Sequence, residues 1–162
     1  MKRIVFVCVE NSARSQMAEG FAKRYAPKDF EILSGGTMPA KEVNPIVVTV
    51  MREKGIDLSR NIPKAITPAM VEGAVAIVTM GCGAESFCPA PLLKKVIDWK
   101  IPSPKSKTIE EVRAIRDQIE QNVKRLLRKM RSASDTLDDV RAKAKPISTK
   151  TIVEWVRKDR ER

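Results

Sequence analysis

The hydrophobic and polar positions along the chain form two kinds of pattern. Short, continuous apolar runs are typical of strands buried on both faces, and they occur at 4–9, 31–33, 74–80 and 95–101. Apolar residues spaced three or four positions apart predict amphipathic helices at 15–26, 45–54 and 109–130. Strands that alternate with helices favour a parallel sheet covered on both faces. The pattern therefore predicts an α/β three-layer sandwich with a four-stranded parallel sheet.

Local signals support the ends of two of these helices. Asn44 followed by Pro45 is a typical helix start, and Gly55 is a typical helix end. Thr108 and Glu111 have the spacing of a capping box, and they precede the longest amphipathic run. Both helices are therefore predicted from their end signals as well as from their apolar faces.

The last part of the chain has a different pattern. The sequence SASDTLDD at 132–139 is polar and turn-like, and Pro146 interrupts the residues that follow. Residues 149–162 are basic, with apolar residues at helical spacing. We therefore expect one domain at 1–130 and a basic, helical C-terminal extension at 131–162, to which the sequence assigns no chemistry.

Three features that could carry chemistry follow predicted strands. Cys8 lies at the end of the first apolar run, Cys82 lies just after the third, and a Pro-rich loop at 102–104 follows the fourth. Because the carboxyl ends of parallel strands meet at one edge of a sheet, we expect these features to lie close together. That edge of the sheet is the predicted functional site.

The composition narrows the classes of partner. The 162 residues carry a net charge of +11, which favours anionic partners. Aromatic residues are only 4% of the chain and are not interleaved with Arg or Lys, so nucleic acid is not an expected partner. The first apolar run is too short for a signal peptide or a membrane span, so we expect a cytoplasmic protein without a membrane partner.

The chain has three cysteines, Cys8, Cys82 and Cys88, and no histidine. An odd number of cysteines in a reducing compartment indicates catalytic or redox use, or inert buried thiols, rather than a disulfide framework. A zinc site would need a carboxylate or a second chain to complete its tetrahedral shell. We therefore expect no metal and no cofactor.

The segment from Cys8 to Ser15 has the features of an anion-binding loop. A strand that ends in a tight loop and leads into a helix directs several backbone N–H groups to one point, with the positive end of the helix behind them. Arg14 could pair two oxygens of an oxyanion, and Ser15 could donate its hydroxyl to the Cys8 sulfur. Such surroundings favour a thiolate, so Cys8 is a candidate nucleophile. The alternative is a small buried thiol beside an ordinary helix start. The candidate oxyanion-binding residues are Val9, Glu10, Asn11, Ser12, Ala13, Arg14 and Ser15.

The sequence CVENSARSQMAEG at 8–20 closely resembles the oxyanion loop of the low-molecular-weight protein tyrosine phosphatase family, in the version found in thioredoxin-coupled arsenate reductases. The SGGT sequence at 34–37 is similar to a turn of that family, and residues 44–59 are similar to its second helix and the loop that follows. The resemblance covers about residues 1–130 and implies the low-molecular-weight phosphatase fold.

The other two cysteines resemble the reductase branch of this family. The sequence VTMGCGAESFCP at 78–89 is similar to a segment in which two cysteines form a thiol relay. The resemblance implies that Cys8 attacks arsenate, that Cys82 attacks the Cys8 sulfur and releases arsenite, and that Cys88 then moves the disulfide outward. It also implies an arsenate or phosphate oxyanion as ligand, and thioredoxin or a small-molecule thiol as reductant. The alternatives for Cys82 and Cys88 are buried thiols or half of a metal site.

One position departs from the family pattern. Ser103 stands where the family has an aspartate that protonates the leaving oxygen, and a serine hydroxyl does not titrate in the useful range. Asp98 and Glu85 are conceivable substitutes. Two alternative functions therefore stay open beside arsenate reduction. One is a low-molecular-weight protein tyrosine phosphatase, and the other is an oxyanion-binding protein with weakened turnover.

Overall fold

The computed structural model describes residues 1–143, and residues 144–162 lie outside this description, as do the side chains of residues 84 and 141. Four strands form one parallel sheet in the order β2-β1-β3-β4. The strands are β1 (Lys2–Cys8), β2 (Phe30–Gly36), β3 (Ala74–Met80) and β4 (Val96–Asp98). The α-helices are α1 (Arg14–Tyr25), α2 (Pro45–Arg52), α3 (Pro68–Val71) and α4 (Ile109–Lys143), and two 3₁₀ helices span Ala84–Ser86 and Ala90–Lys95. The predicted α/β class and four-stranded parallel sheet are confirmed.

The central strand β1 is covered on both faces. Successive side chains of a strand point to opposite faces, and Ile4, Val5, Phe6 and Val7 are all fully buried. Val5 and Val7 belong to an apolar cluster that also contains residues of α3 and β3. This explains why the first apolar run is continuous rather than alternating.

The strand register brings the expected edge of the sheet together. Cys8, the last residue of β1, pairs with Gly36 on one side and with Met80 on the other. The loops that follow β1, β2 and β3 therefore begin at the same level of the sheet. Thr37 N and Met38 N donate to the carbonyl oxygens of Cys8 and Val9, at 3.2 and 2.7 Å, which holds two of these loops together.

The predicted start of the second helix is confirmed. Asn44 is the N-cap of α2, and its side chain accepts a hydrogen bond of 3.0 Å from Ile46 N. Pro45 occupies the first helical position. The helix ends at Arg52, and Gly55 follows in a left-handed conformation with φ of +75°.

The last strand is shorter than predicted, and three short helices were not predicted. The apolar run at 95–101 forms only the three residues of β4, because Lys95 closes a 3₁₀ helix and the chain leaves the sheet after Asp98. Trp99 N still bonds to Thr79 O at 2.9 Å. Helix α3 and the 3₁₀ helices are too short for a periodic apolar pattern to identify them.

The long helix α4 begins as predicted but continues further. Thr108 N donates to Glu111 Oε2 at 2.8 Å, and Glu111 N donates to Thr108 Oγ1 at 3.3 Å, which is the reciprocal bonding of a capping box. The prediction of a turn at 132–139 is wrong, because α4 runs through this segment to Lys143. Ser132 and Thr136 donate their hydroxyls to backbone carbonyls one turn earlier in the helix. These bonds let the polar residues remain helical at a small cost in propensity.

The described residues divide into two compact units, and the boundary along the chain lies between Leu127 and Arg128. The first unit is Met1–Leu127, and the described residues from Arg128 onward belong to the second. Pro146 and the helix predicted at 149–162 lie outside the described residues. Among the helices of residues 1–143, none is long and apolar enough to cross a membrane.

Candidate active site

The loop between β1 and α1 folds around the Cys8 thiol. Asn11 adopts a left-handed conformation with φ of +50°, which Asn tolerates better than most residues. This turn directs Asn11 N toward Cys8 Sγ, at 3.2 Å. Helix α1 begins at Arg14, and its N-cap residue Ala13 provides no side-chain cap. The first N–H groups of α1 therefore remain available to an anion in front of the loop.

The Cys8 sulfur is buried and hydrogen-bonded. Only 3% of the residue is exposed, and Ser15 Oγ lies 2.9 Å from Cys8 Sγ. Because Ser15 Oγ already accepts a bond of 2.8 Å from Asn11 Nδ2, its own proton is free to point at the sulfur. The Ser15 hydroxyl and a backbone N–H therefore both direct a hydrogen-bond donor at the sulfur of Cys8.

The side chain of Asn11 holds the loop in place from behind. Asn11 is fully buried, and Nδ2 donates to Ser34 Oγ at 3.0 Å in addition to Ser15. Its Oδ1 accepts from Gln16 Nε2 at 3.1 Å and from Lys64 N at 3.0 Å. All the hydrogen-bonding capacity of this side chain is therefore used. Asn11 joins the loop to β2, to α1 and to the segment before α3.

The support continues to a buried carboxylate that sequence reasoning missed. Ser34 Oγ donates to Glu19, which is only 5% exposed. Glu19 is also paired with Lys23 and, at 3.8 Å, with Lys64. Glu19 and Lys64 are distant from Ser34 in the chain, so no local pattern indicates that they meet. The only sequence signal was that Ser34 belongs to the SGGT turn.

A cavity of about 210 Å³ opens in front of the sulfur. Its lining comes from Cys8 and Arg14, from the loop between them, from Asn44 and from residues 103–105. Of the candidate oxyanion-binding residues, Val9, Glu10, Ser12, Ala13 and Arg14 line the cavity. Asn11 and Ser15 do not line it, because they lie behind the loop and hold the loop and the sulfur.

Arg14 lies between two loops at the side of this cavity. Its Nη1 donates to Ile101 O at 2.9 Å. On its other side is Gly81, where a Cβ atom would come within 2.6 Å of Nη1. Gly81 also has a φ of +79°, which L side chains rarely adopt. A glycine at the end of β3 therefore makes room for the guanidinium and satisfies the turn.

Ser103 lies at the cavity in the position where the resemblance places an acid. Its Oγ accepts a bond of 3.3 Å from Lys105 N, and the residue is exposed. Neither conceivable substitute lines the cavity. Asp98 lies on β4 and accepts a bond of 3.1 Å from Thr79 Oγ1, while Glu85 lies in the 3₁₀ helix after β3. Among the described residues, the carboxylic acid that the resemblance places at this position is therefore missing.

Two opposite charges do line the cavity. Lys105 Nζ forms an ion pair with Glu10 Oε1, and the two side chains are 65% and 34% exposed. The hydrogen bond from Lys105 holds the pKa of the Glu10 carboxyl below its ordinary value, against the opposing effect of burial. Sequence reasoning missed Lys105, because nothing but its position after Pro104 distinguished it from the other lysines.

Cys82 lies beside the end of β1. Its Sγ donates to Val7 O at 3.6 Å, so this thiol contacts the residue that precedes Cys8. Burial raises the pKa of the Cys82 thiol above its ordinary value, and the charge on Cys8 raises it further, whereas Arg14 lowers it. Cys82 is therefore a thiol at neutral pH until its surroundings change.

Cys88 lies in the apolar core on one face of the sheet. It is 7% exposed and belongs to the same cluster as Val5 and Val7, against which Cys82 also packs. Burial raises the pKa of the Cys88 thiol. All three cysteines are free. Within residues 1–143, no cluster of three or more His, Cys, Asp or Glu side chains is placed to hold a metal ion.

Comparison with known proteins identifies the family. The sequence model described as low molecular weight phosphotyrosine protein phosphatase matches residues 3–136. A putative arsenate reductase of Halobacterium salinarum is 41% identical over 123 residues, which cover 73% of this chain and 85% of that protein. A glutaredoxin arsenate reductase of Synechocystis is 32% identical over 132 residues, which cover 80% and 99%.

A solved structure agrees with these relatives. The thioredoxin-dependent arsenate reductase of Corynebacterium glutamicum superposes with a TM-score of 0.70 at 29% identity, covering 82% of this chain and 63% of that one. Residues 3–136, which the family model matches, include the cysteine and arginine loop and the residues that line the cavity. The chain belongs to the low molecular weight phosphotyrosine protein phosphatase family.

Proposed function

We propose that this protein is an arsenate reductase in which Cys8 is the nucleophile and Cys82 and Cys88 form the thiol relay. The observation that carries the proposal is the placement of three free thiols around the end of β1. Cys8 faces the cavity, Cys82 touches the carbonyl of the preceding residue, and Cys88 packs in the cluster next to it. The names of the relatives agree with this chemistry.

In the first step, arsenate binds in the cavity and Cys8 attacks arsenic. The N–H groups of the loop and of α1 face three of the oxyanion oxygens, and Arg14 pairs with them in a charge-assisted contact. A bond forms between Cys8 Sγ and arsenic, and the bond from arsenic to a hydroxyl group of arsenate breaks, with its electron pair remaining on the hydroxyl oxygen. That oxygen takes up a proton and leaves as water.

In the second step, Cys82 attacks Cys8 Sγ. The new S–S bond forms as the S–As bond breaks, and the electron pair of that bond stays on arsenic, which is thereby reduced from As(V) to As(III). Burial is the largest cause that raises the pKa of the Cys82 thiol. Exchange needs the thiolate, so this step requires Cys82 to lose its proton.

In the third step, Cys88 attacks Cys82 and releases Cys8 as a thiolate. Because Cys88 is only 7% exposed, the segment that carries it must become more accessible before an external thiol can reach the disulfide. An external thiol then reduces the Cys82–Cys88 disulfide. We propose a thioredoxin-type dithiol or a small-molecule thiol as this reductant, and the cytoplasm, which keeps thiols reduced, as the compartment.

We assign this activity to residues 1–130 and no chemistry to the extension at 131–162. A second candidate function, hydrolysis of phosphate esters, is supported by the family to which the chain belongs. Ser103 argues against efficient hydrolysis, because a general acid contributes about 10²–10⁴-fold to such reactions. An oxyanion-binding protein without turnover is the third candidate.

The test is arsenite production from arsenate by the wild type and by Cys8→Ser, Cys82→Ala and Cys88→Ala, with thioredoxin and its reductase as electron source. The proposal predicts turnover that needs all three cysteines. A phosphatase would instead hydrolyse an aryl phosphate without any thiol donor, and would keep that activity in Cys82→Ala. Tight arsenate binding without arsenite under any reductant would contradict both enzymatic functions.

A further inference from the structure

The ion pair between Glu10 and Lys105 is not used in the reaction described above, although both residues line the cavity. Glu10 belongs to the oxyanion loop itself. A carboxylate at that position repels a bound anion unless a cation neutralises it. Lys105 belongs to the loop at 101–105, on the other side of the cavity. Its side chain reaches the Glu10 carboxylate, and so brings an ammonium group to the place where the oxyanion binds.

The backbone holds both members of the pair in place. Pro102 and Pro104 each fix one backbone dihedral on either side of Ser103, and Pro104 is buried. Lys105 N is bonded to Ser103 Oγ at 3.3 Å. Across the cavity, the carbonyl of Glu10 accepts a bond of 2.9 Å from Ala40 N. The ion pair between Glu10 and Lys105 therefore joins two segments whose backbones are anchored.

The first step of the reaction needs a proton for the departing oxygen. Among the described residues that line the cavity, the ionisable side chains other than Cys8 are Glu10, Arg14 and Lys105. Arginine does not release its proton in proteins. Glu10 is a carboxylate at neutral pH, because its bond to Lys105 lowers its pKa. The Ser103 hydroxyl does not titrate in the useful range.

We propose that Lys105 is a catalytic residue that hydrogen-bonds to the departing oxygen of arsenate and gives it a proton, with Glu10 as the positioning residue. The proposal rests on the proposed function. As the bond from arsenic to a hydroxyl group breaks, its electron pair stays on the hydroxyl oxygen, one proton passes from Lys105 Nζ to that oxygen, and water leaves. An ammonium can protonate a hydroxide ion because water is the weaker acid. The neutral amine then regains a proton from solvent, since this side chain is 65% exposed.

The experiment compares four variants in the arsenite assay with the full chain. Lys105→Met removes both the charge and the proton, whereas Lys105→Arg keeps the charge but gives up no proton at neutral pH. The double variant Glu10→Gln with Lys105→Met tests whether the lysine merely neutralises the glutamate. Lys100→Met is the matched control, because Lys100 is an exposed lysine of the same loop that does not line the cavity.

We expect Lys105→Met to lower kcat by about 100-fold, the lower end of the range for a general acid, while the Lys100→Met variant matches the wild type. Lys105→Arg should bind phosphate about as tightly as the wild type and remain slow in arsenite formation. The double variant should be no faster than Lys105→Met alone.

Three results would overturn the inference. They are full turnover in Lys105→Met, full turnover in Lys105→Arg, or recovery of turnover in the double variant. Full turnover in Lys105→Arg would mean that Lys105 acts only as a fixed charge. Recovery in the double variant would mean that it acts only as a counter-ion of Glu10. A wild type that produces no arsenite with any donor would instead overturn the proposed function, so the two failures are distinct.

Discussion

The contact between Gly81 and Arg14 leads to a prediction that separates the effect of backbone strain on stability from the effect of Arg14 on oxyanion binding. In Gly81→Ala, the new Cβ would come within 2.6 Å of Arg14 Nη1 and 3.0 Å of Nη2. The nearest atoms are the end of a flexible side chain, so the guanidinium moves rather than the backbone. That movement breaks the bond of 2.9 Å from Nη1 to Ile101 O and takes Arg14 away from the oxyanion.

The magnitude follows from two separate costs. A left-handed conformation costs an L-residue about 1–2 kcal/mol, and this cost appears as lower stability. Loss of a hydrogen bond to a charged group costs about 1.5–3 kcal/mol, and here it weakens oxyanion binding. The second cost corresponds to roughly 10–150-fold in affinity, since about 1.4 kcal/mol is tenfold.

Gly73→Ala is the matched control for this variant. Gly73 precedes β3 and has a φ of +72°, but a Cβ at this position would meet nothing within 4 Å. Both variants should lose about 1–2 kcal/mol of unfolding free energy in urea. Only Gly81→Ala should also lose phosphate affinity, measured by calorimetric titration of the reduced protein. Equal phosphate affinity in the two variants would refute the argument that Gly81 positions Arg14.

Four further predictions follow from the site. With thioredoxin as electron donor, the Cys88→Ala variant should release about one equivalent of arsenite per protein molecule and then stop, as a quenched-flow assay would detect. Single-turnover arsenite release in the wild type should accelerate as pH rises. Burial raises the pKa of the Cys82 thiol, so more of the reactive thiolate forms at alkaline pH. A release rate that falls as pH rises would contradict this prediction. Asn11→Ala should lower the unfolding free energy by about 3 kcal/mol in urea, since it leaves several buried groups unpaired. Ser103→Asp should raise aryl phosphate hydrolysis by about 100-fold, and no increase would show that the loop does not present this position to the substrate.

Local sequence signals predicted the elements that place the nucleophile. The apolar run of β1, the Asn44 and Pro45 helix start and the capping box before α4 depend on neighbouring residues only. The oxyanion loop was predictable for the same reason, because the cysteine, the arginine and the helix start lie within eight residues. The resemblance of this loop to a known family also implied the fold, and therefore the parallel sheet around the loop.

The features that were missed depend on contacts between distant parts of the chain. Glu19 reaches the loop through Ser34, and Lys105 meets Glu10 across 95 positions in the sequence. No periodic pattern indicates such pairs. The continuation of α4 through 132–139 was missed for a different reason. Single-residue propensities favoured a turn there, but each polar residue lowers the stability of the helix by only tenths of a kcal/mol. Hydroxyl bonds to the preceding turn of the helix are also compatible with the helical backbone.

The most direct test of the relay is to map disulfides after one turnover. The reduced protein is mixed with arsenate in the absence of any reductant, quenched in acid, alkylated and analysed by peptide mass spectrometry. The account predicts a Cys82–Cys88 disulfide with Cys8 alkylated in the wild type, and a Cys8–Cys82 disulfide in Cys88→Ala. Arsenite formation with Cys82 and Cys88 both alkylated as free thiols would contradict it.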